Sequence, residues 1–205
     1  MSVGPASPAD AAAVTALILS LPGGITEIFP TRTVAERVAR AMFDSARTVL
    51  GWPHALVARV GGRVAGMVVR VPADAWRGLR LGSGPTMMRA AGLRAPAVLW
   101  RGSRQDRLMP PVPPGFLYVA ALAVAPARRR HGIGTHLLRG VIAEADRERR
   151  RGVALDVAAG NDGAVALYRS LGFEIVGRRS IPPGRGLRHR SSVRMELSLG
   201  SGGSA

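Results

Sequence analysis

Apolar positions change their period several times along the chain, and each change marks an element. Residues 7–20, SPADAAAVTALILS, open with Ser, Pro and Asp at cap-like positions and continue with good helix formers, which predicts a first helix. The stretch GGITEIFP then breaks it. In residues 33–50, TVAERVARAMFDSARTVL, the residues Val34, Val38, Ala41 or Met42, and Val49 recur at helical spacing and predict a second helix. Residues 54–71, HALVARVGGRVAGMVVRV, place two β-branched runs around Gly61 and Gly62, which supply the positive φ angles of a tight hairpin turn. Residues 72–115 are rich in Pro, Gly and Arg. They read as an irregular insertion or a mobile substrate-side segment with one helix near 85–100.

From Phe116 the pattern sharpens. A strand FLYVAALAV leads through a basic glycine loop into a helix GTHLLRGVIAEADRER, then a strand VALDVAA, a helix NDGAVALYRSLG and a strand FEIVGRRS. That alternation calls for an α/β layered fold. RSSVRMELSL supplies a last strand, and residues 200–205 read as a disordered tail. One domain over residues 1–199 is expected, because 205 residues with 47% hydrophobic side chains fill one core and leave little for a second.

Charge changes this picture less than its size suggests. The formal net charge is +16, yet all 29 basic residues are Arg and none is Lys, in a chain rich in Ala and Gly. Such a composition points to Arg-favouring codons, so nucleic acid is not the expected partner. With no Cys and four scattered His (His54, His131, His136, His189), neither a thiolate nucleophile nor a metal site is expected. The apolar stretch 11–21 lacks the basic flank of a signal peptide, and no stretch approaches the roughly 20 apolar residues of a membrane span. A cytoplasmic protein, monomeric or homodimeric and without a membrane partner, is the expectation.

The candidate chemistry lies in PARRRHGIG, residues 126–134. The following helix carries Ile133, Leu137, Leu138, Val141, Ile142 and Ala145 on one stripe, so it packs on a sheet while its first turn points outward. A helix start has free N–H groups and a positive dipole end. Gly132 and Gly134 allow close backbone approach, Arg129 and Arg130 add charge, and together they describe an anion site. A P-loop is excluded by the missing Lys. A dinucleotide fingerprint is weakened by Leu137 where a third small residue belongs, although Asp156 stands near the spacing of its acidic residue.

LAVAPARRRHGIG followed by NDGAVALYRSLGF resembles the GNAT superfamily of acetyl-coenzyme A-dependent N-acetyltransferases. Val124, Pro126, Arg129, Gly132 and Gly134 match its V-x-P-x-x-R-x-x-G-x-G stretch, and Asn161, Ala164, Leu167, Tyr168, Gly172 and Phe173 match its second motif. The close match covers residues 116–177. The resemblance implies the GNAT (acyl-CoA N-acyltransferase) fold, a mixed, mostly antiparallel sheet flanked by helices, and transfer of acetyl from acetyl-CoA to a primary amine of a small molecule or protein. It further implies that the Leu122, Ala123, Val124 strand runs beside the pantetheine and that the amide near Val124 polarises the thioester carbonyl. The amides of Arg130, His131, Gly132, Ile133, Gly134 and Thr135 would hold the pyrophosphate. Asn161 would bind the pantetheine arm, and Tyr168 would protonate the departing thiolate.

Asp156 is the candidate base. It shares a strand face with Ala154 and Ala158, opposite Val153, Leu155 and Val157. Some ribosomal-protein N-terminal acetyltransferases carry Glu at the matching position, and the shorter Asp calls for an intervening water. Relatives often have a polar residue where Ala120 stands. Each residue keeps a structural alternative: Asn161 as a helix cap, Tyr168 as a core aromatic, Asp156 as an edge-of-sheet carboxylate, and Arg147–Arg151 as a solvated helix end. Layout alone puts Glu27 and Phe29 at the acceptor site. The alternatives at the level of function are a non-catalytic acyl-CoA-sensing or nucleic-acid-docking module and a nucleotide-binding oxidoreductase.

Overall fold

A computed structural model describes residues 1–21, 29, 31–106, 108, 110–181 and 191–200. In chain order these form β1 (Ser2–Pro5), α1 (Ala11–Leu19), α2 (Arg32–Asp44), β2 (Ala55–Val60), β3 (Arg63–Pro72), α3 (Ala73–Ala91), α4 (Ala95–Asp106) and β4 (Phe116–Val124). There follow α5 (Ile133–Arg147), β5 (Gly152–Ala158), α6 (Asp162–Ser170), β6 (Glu174–Ser180) and β7 (Ser191–Ser198). The strands make one sheet in the order β1-β2-β3-β4-β5-β7-β6. Its pairings are antiparallel except the parallel contact of β4 with β5.

Alternation along the strands feeds a core on each face. Val68, Leu117, Val119, Val153 and Leu155 meet α5 and α6 on one side. Val57, Met67 and Val69 meet α1 on the other. The expected stripe of α5 is buried at Ile133, Leu137, Leu138, Val141 and Ala145, with Ile142 packed at its margin. Gly61 and Gly62 take φ of 58° and 76° and turn β2 into β3 as the hairpin pattern requires.

Three elements differ from expectation. β1 is unforeseen: four residues without a clear alternation pair with β2. α2 stops at Asp44, because the Thr48 hydroxyl donates to the carbonyls of Met42 (2.5 Å) and Ser45 (3.2 Å) and closes a turn there. Residues 73–106 are not irregular but form two helices despite Pro85 inside α3. Tertiary packing overrides propensity: Ala91, Ala95 and Val98 share a cluster with Val34, Val38 and Met42 of α2. Ser83 Oγ accepts from the Val49 amide (3.0 Å), Arg37 Nε donates to the Ala90 carbonyl (2.6 Å), and Gly82 lies so close to the Arg47 carbonyl that a Cβ would collide. Phe29 is buried in the same cluster, away from the site that layout suggested, and Glu27 falls outside the described residues. So do residues 201–205 of the expected tail.

Candidate active site at a parted strand pair

The register of β4 creates the opening. Phe116 to Val119 pair in parallel with Gly152 to Leu155, and the ladder stops there. On its other edge β4 stays paired with β3 through Val124, and β5 stays paired with β7 through Ala158. Val69 lies opposite Ala121 and Arg70 opposite Val119, so Ala120 is an extra residue in β4. Such a bulge bends a strand and sharpens its twist, which turns the far half of β4 away from β5. Apart from the Val124 carbonyl, which Arg129 engages, the β5-facing edge of Ala120 to Val124 has no strand partner among the described residues and is open to a ligand.

A cavity of about 770 Å³ fills the gap. Leu122, Ala123 and Val124 line it, as do Arg129, Arg130, Gly132, Ile133, Gly134, Thr135, Asn161, Tyr168 and Asp156. Every candidate coenzyme-binding and catalytic residue except His131 therefore borders one space. The His131 ring instead meets the Arg129 carbonyl at 2.7 Å within the loop.

The loop is shaped by two left-handed residues. Gly132, the N-cap of α5, has φ of 74° and no side chain to cap the helix, so the first amides of α5 face the cavity end uncapped. Arg130 holds φ of 64°, a conformation that costs a side-chain-bearing residue roughly 1–2 kcal/mol. Arg129 Nε donates to the Val124 carbonyl at 3.2 Å and ties the loop to the strand end. Gly134 sits against Leu167, whose methyl would stand 3.3 Å from an added Cβ. The amides, the positive helix end and the Arg side chains suit a diphosphate, and the open β4 edge suits an amide-bearing arm. The donors present fit acetyl-CoA.

Asn161 does cap α6: its Oδ1 accepts from the Ala164 amide at 3.3 Å. The cap occupies the oxygen and leaves the NH₂ group for the cavity. Tyr168 is buried among Val141, Leu155 and Phe173, with ring centroids 5.9 Å apart in the Phe173 pair. Burial alone pushes its phenol up to about 12, and no hydrogen bond from its hydroxyl to a described residue restrains it. The core reading and the cavity reading of Tyr168 thus hold together: the ring is core and borders the ligand space.

Asp156 has partners that no motif announced. Arg194 on β7 donates to it through Nε (3.1 Å to Oδ1) and an NH₂ group (2.7 Å to Oδ2). The Tyr118 hydroxyl on β4 donates at 2.9 Å. Burial raises the Tyr118 phenol well above its ordinary value, the nearby Asp156 charge adds to this, and the phenol stays a proton donor. Arg194 and Asp156 are one across the β5–β7 register, Asp156 opposite Arg194, which could have flagged the pair had the sheet order been known.

The chain's relatives agree with this geometry. The sequence profile of the acetyltransferase (GNAT) family matches residues 25–173. The N-alpha-acetyltransferase RimI of Mycobacterium tuberculosis is 45% identical over 67 residues, a match spanning 33% of this chain and 40% of that protein. An N-acetyltransferase of Staphylococcus aureus superposes with a TM-score of 0.70 at 18% identity, covering 96% of this chain and all of that one. The yncA protein of Salmonella typhimurium, solved with its cofactor acetyl-CoA, superposes with a TM-score of 0.62 at 22% identity over 99% of this chain and 96% of that one. No described helix is long and apolar enough to cross a membrane. With its mixed seven-stranded sheet, its parted β4 and β5 and its loop before α5, the chain belongs to the GNAT family of acetyltransferases.

Proposed function

We propose that the chain binds acetyl-CoA along the open edge of β4 and moves its acetyl group directly to a primary amine held in the same cavity. The observation that carries this reading is the convergence, on one 770 Å³ space, of a strand edge parted from its neighbour, an uncapped helix start and a buried phenol with no hydrogen bond to a described residue. When bound, acetyl-CoA supplies an acyl group already activated as a thioester. The amides of α5 and the Arg129 and Arg130 side chains hold the phosphates, the β4 edge from Leu122 to Val124 holds the arm, and Asn161 adds its NH₂ donor.

Tyr168 holds the proton that the departing sulfur takes up, while the amide near Val124 withdraws charge from the carbonyl under attack. Both oxygens of Asp156 already accept charge-assisted bonds, so this carboxylate orients a water that carries the amine proton to solvent rather than storing the proton itself. The acceptor this reading favours is the α-amine of a peptide or protein, because the matched stretch of the curated relative belongs to an N-alpha-acetyltransferase. Asp156's engagement and the apolar Ala120 also support a second reading, a module that binds acyl-CoA without turning it over.

The deciding experiment mixes the protein with acetyl-CoA and a panel of unblocked peptides, polyamines and aminoglycosides. Thiol release is followed continuously and the product identified by mass. A peptide product with stoichiometric thiol supports the reading. Tight acetyl-CoA binding without thiol release from any amine supports the binding module.

A further inference from the structure

The insertion between β3 and β4 is anchored at both ends on one buried network, and this geometry goes beyond the coenzyme site. At its start, the Trp76 ring of α3 lies edge-on to Tyr118, with centroids 4.6 Å apart and planes at 68°. At its end, the Leu108 carbonyl accepts from Ser192 Oγ at 2.5 Å. The carbonyls of Pro110 and Pro111 accept from Arg194 at 2.8 and 3.0 Å. The same guanidinium forks onto Asp156 and lies 5.6 Å from the centre of the Tyr118 ring. Arg194 is 5% exposed. A buried guanidinium is costly unless all its faces are used, and here carboxylate, two carbonyls and an aromatic ring share them.

Leu108, Tyr118, Asp156 and Ser192 all border the cavity, at the end away from the Gly132 loop. Resting on the reading above, we propose that Arg194 is a positioning residue that clamps the end of the insertion onto the Asp156 carboxylate. The end of the insertion, through Leu108, thereby becomes the part of the cavity wall that selects the acceptor. Two demands on the wall and the carboxylate are then met by one side chain. Any acceptor that displaces Leu108, Pro110 and Pro111 pulls on Arg194 and disturbs Asp156, so a poor fit costs turnover as well as affinity. Lys in its place keeps the charge but lacks the planar fork that reaches carboxylate and carbonyls together.

The test compares the intact wild-type protein with Arg194→Lys and Ser192→Ala. Ser192→Ala loosens the same stretch without touching Asp156. Calorimetry gives the acetyl-CoA Kd, thiol release gives kcat and KM for an unblocked alanyl tetrapeptide amide, and hydrogen exchange follows the peptide spanning 104–116. The proposal expects acetyl-CoA affinity within twofold of wild type in both variants. It expects a peptide KM raised at least threefold in Ser192→Ala, and at least tenfold in Arg194→Lys with kcat also lowered at least tenfold. Exchange over 104–116 rises at least tenfold in Arg194→Lys while that over 130–138 is unchanged. Wild-type KM and kcat in both variants, or unaltered exchange over 104–116, overturns the clamp. If the wild type releases no thiol with any amine, it is the transfer reading that fails, and the exchange result still decides the clamp by the same criterion.

Discussion

Replacing Tyr168 with Phe isolates one oxygen. The ring keeps its place against Phe173 and in the α5–α6 core, and the lost hydroxyl makes no hydrogen bond to a described residue. Folding stability should therefore change by less than about 1 kcal/mol. Catalysis should change far more. Burial holds the phenol up to about 12, well above a free thiol near 8.5, so handing its proton to a thiolate that kept its solution basicity would be uphill. A sulfur leaving into the same apolar pocket loses its hydration too, and its proton affinity rises alongside that of Tyr168. Loss of a positioned acid typically costs about 10²- to 10⁴-fold in rate, equivalent to roughly 3–5 kcal/mol.

The expected outcome for Tyr168→Phe is a kcat lowered by that factor with acetyl-CoA Kd within about twofold. Because the upward shift keeps the phenol protonated, the wild-type rate should show no alkaline loss from Tyr168 below about pH 11. A thiol-reactive dye reads coenzyme release without background, since the chain has no Cys. A kcat within threefold of wild type would refute the acid role, and with it the argument from burial.

Three further outcomes follow from the fold. Gly66→Ala puts a Cβ 2.9 Å from Ile133 Cγ2 and 3.2 Å from the Ala123 carbonyl, at the start of α5. It should lower stability by about 1–3 kcal/mol in denaturant titration and weaken acetyl-CoA binding together with it. Asp10 is lowered chiefly by its hydrogen bond from Arg59, with 2.8 and 2.9 Å contacts, and also accepts from Ser7. Its contribution is present above the ordinary carboxylate range and is lost as pH falls through the lowered value. Asp10→Asn should thus lower Tm at pH 7 and narrow the gap to wild type in acid. Burial pushes the His54 imidazole down, outweighing a backbone hydrogen bond at Ala46 that acts the other way, and the nearby Arg70 charge lowers it further. The unfolded chain takes up this proton more readily, so stability should decline as pH falls below about 6.5, and His54→Gln should flatten that decline in Tm.

How much was legible depends on whether the physics is local. β4, the Gly132 loop and α5 could be read because strand period, positive-φ glycine and helix stripe all sit within neighbouring residues. Gly61 and Gly62 announced their hairpin for the same reason. Where α3 and α4 stand, only one helix near 85–100 was legible, because Gly82, Gly84 and Pro85 disfavour helix locally and are held in one by packing on α2. Asp156 was visible as a polar residue in an apolar strand, yet Arg194 and Tyr118 reach it only through the β4-β5-β7 order. Phe29 shows the opposite failure, where placing a residue by layout missed the α2 cluster that buries it.

The central claim is that the start of α5 and the open edge of β4 hold acetyl-CoA. Calorimetric titration of the wild type and of a Gly132→Glu, Gly134→Glu variant with acetyl-CoA tests it most directly. The account predicts saturable one-to-one binding by the wild type, lost in the variant because two carboxylates stand where the diphosphate would meet the helix amides. Absence of binding by the wild type, or equal binding by the variant, would contradict it.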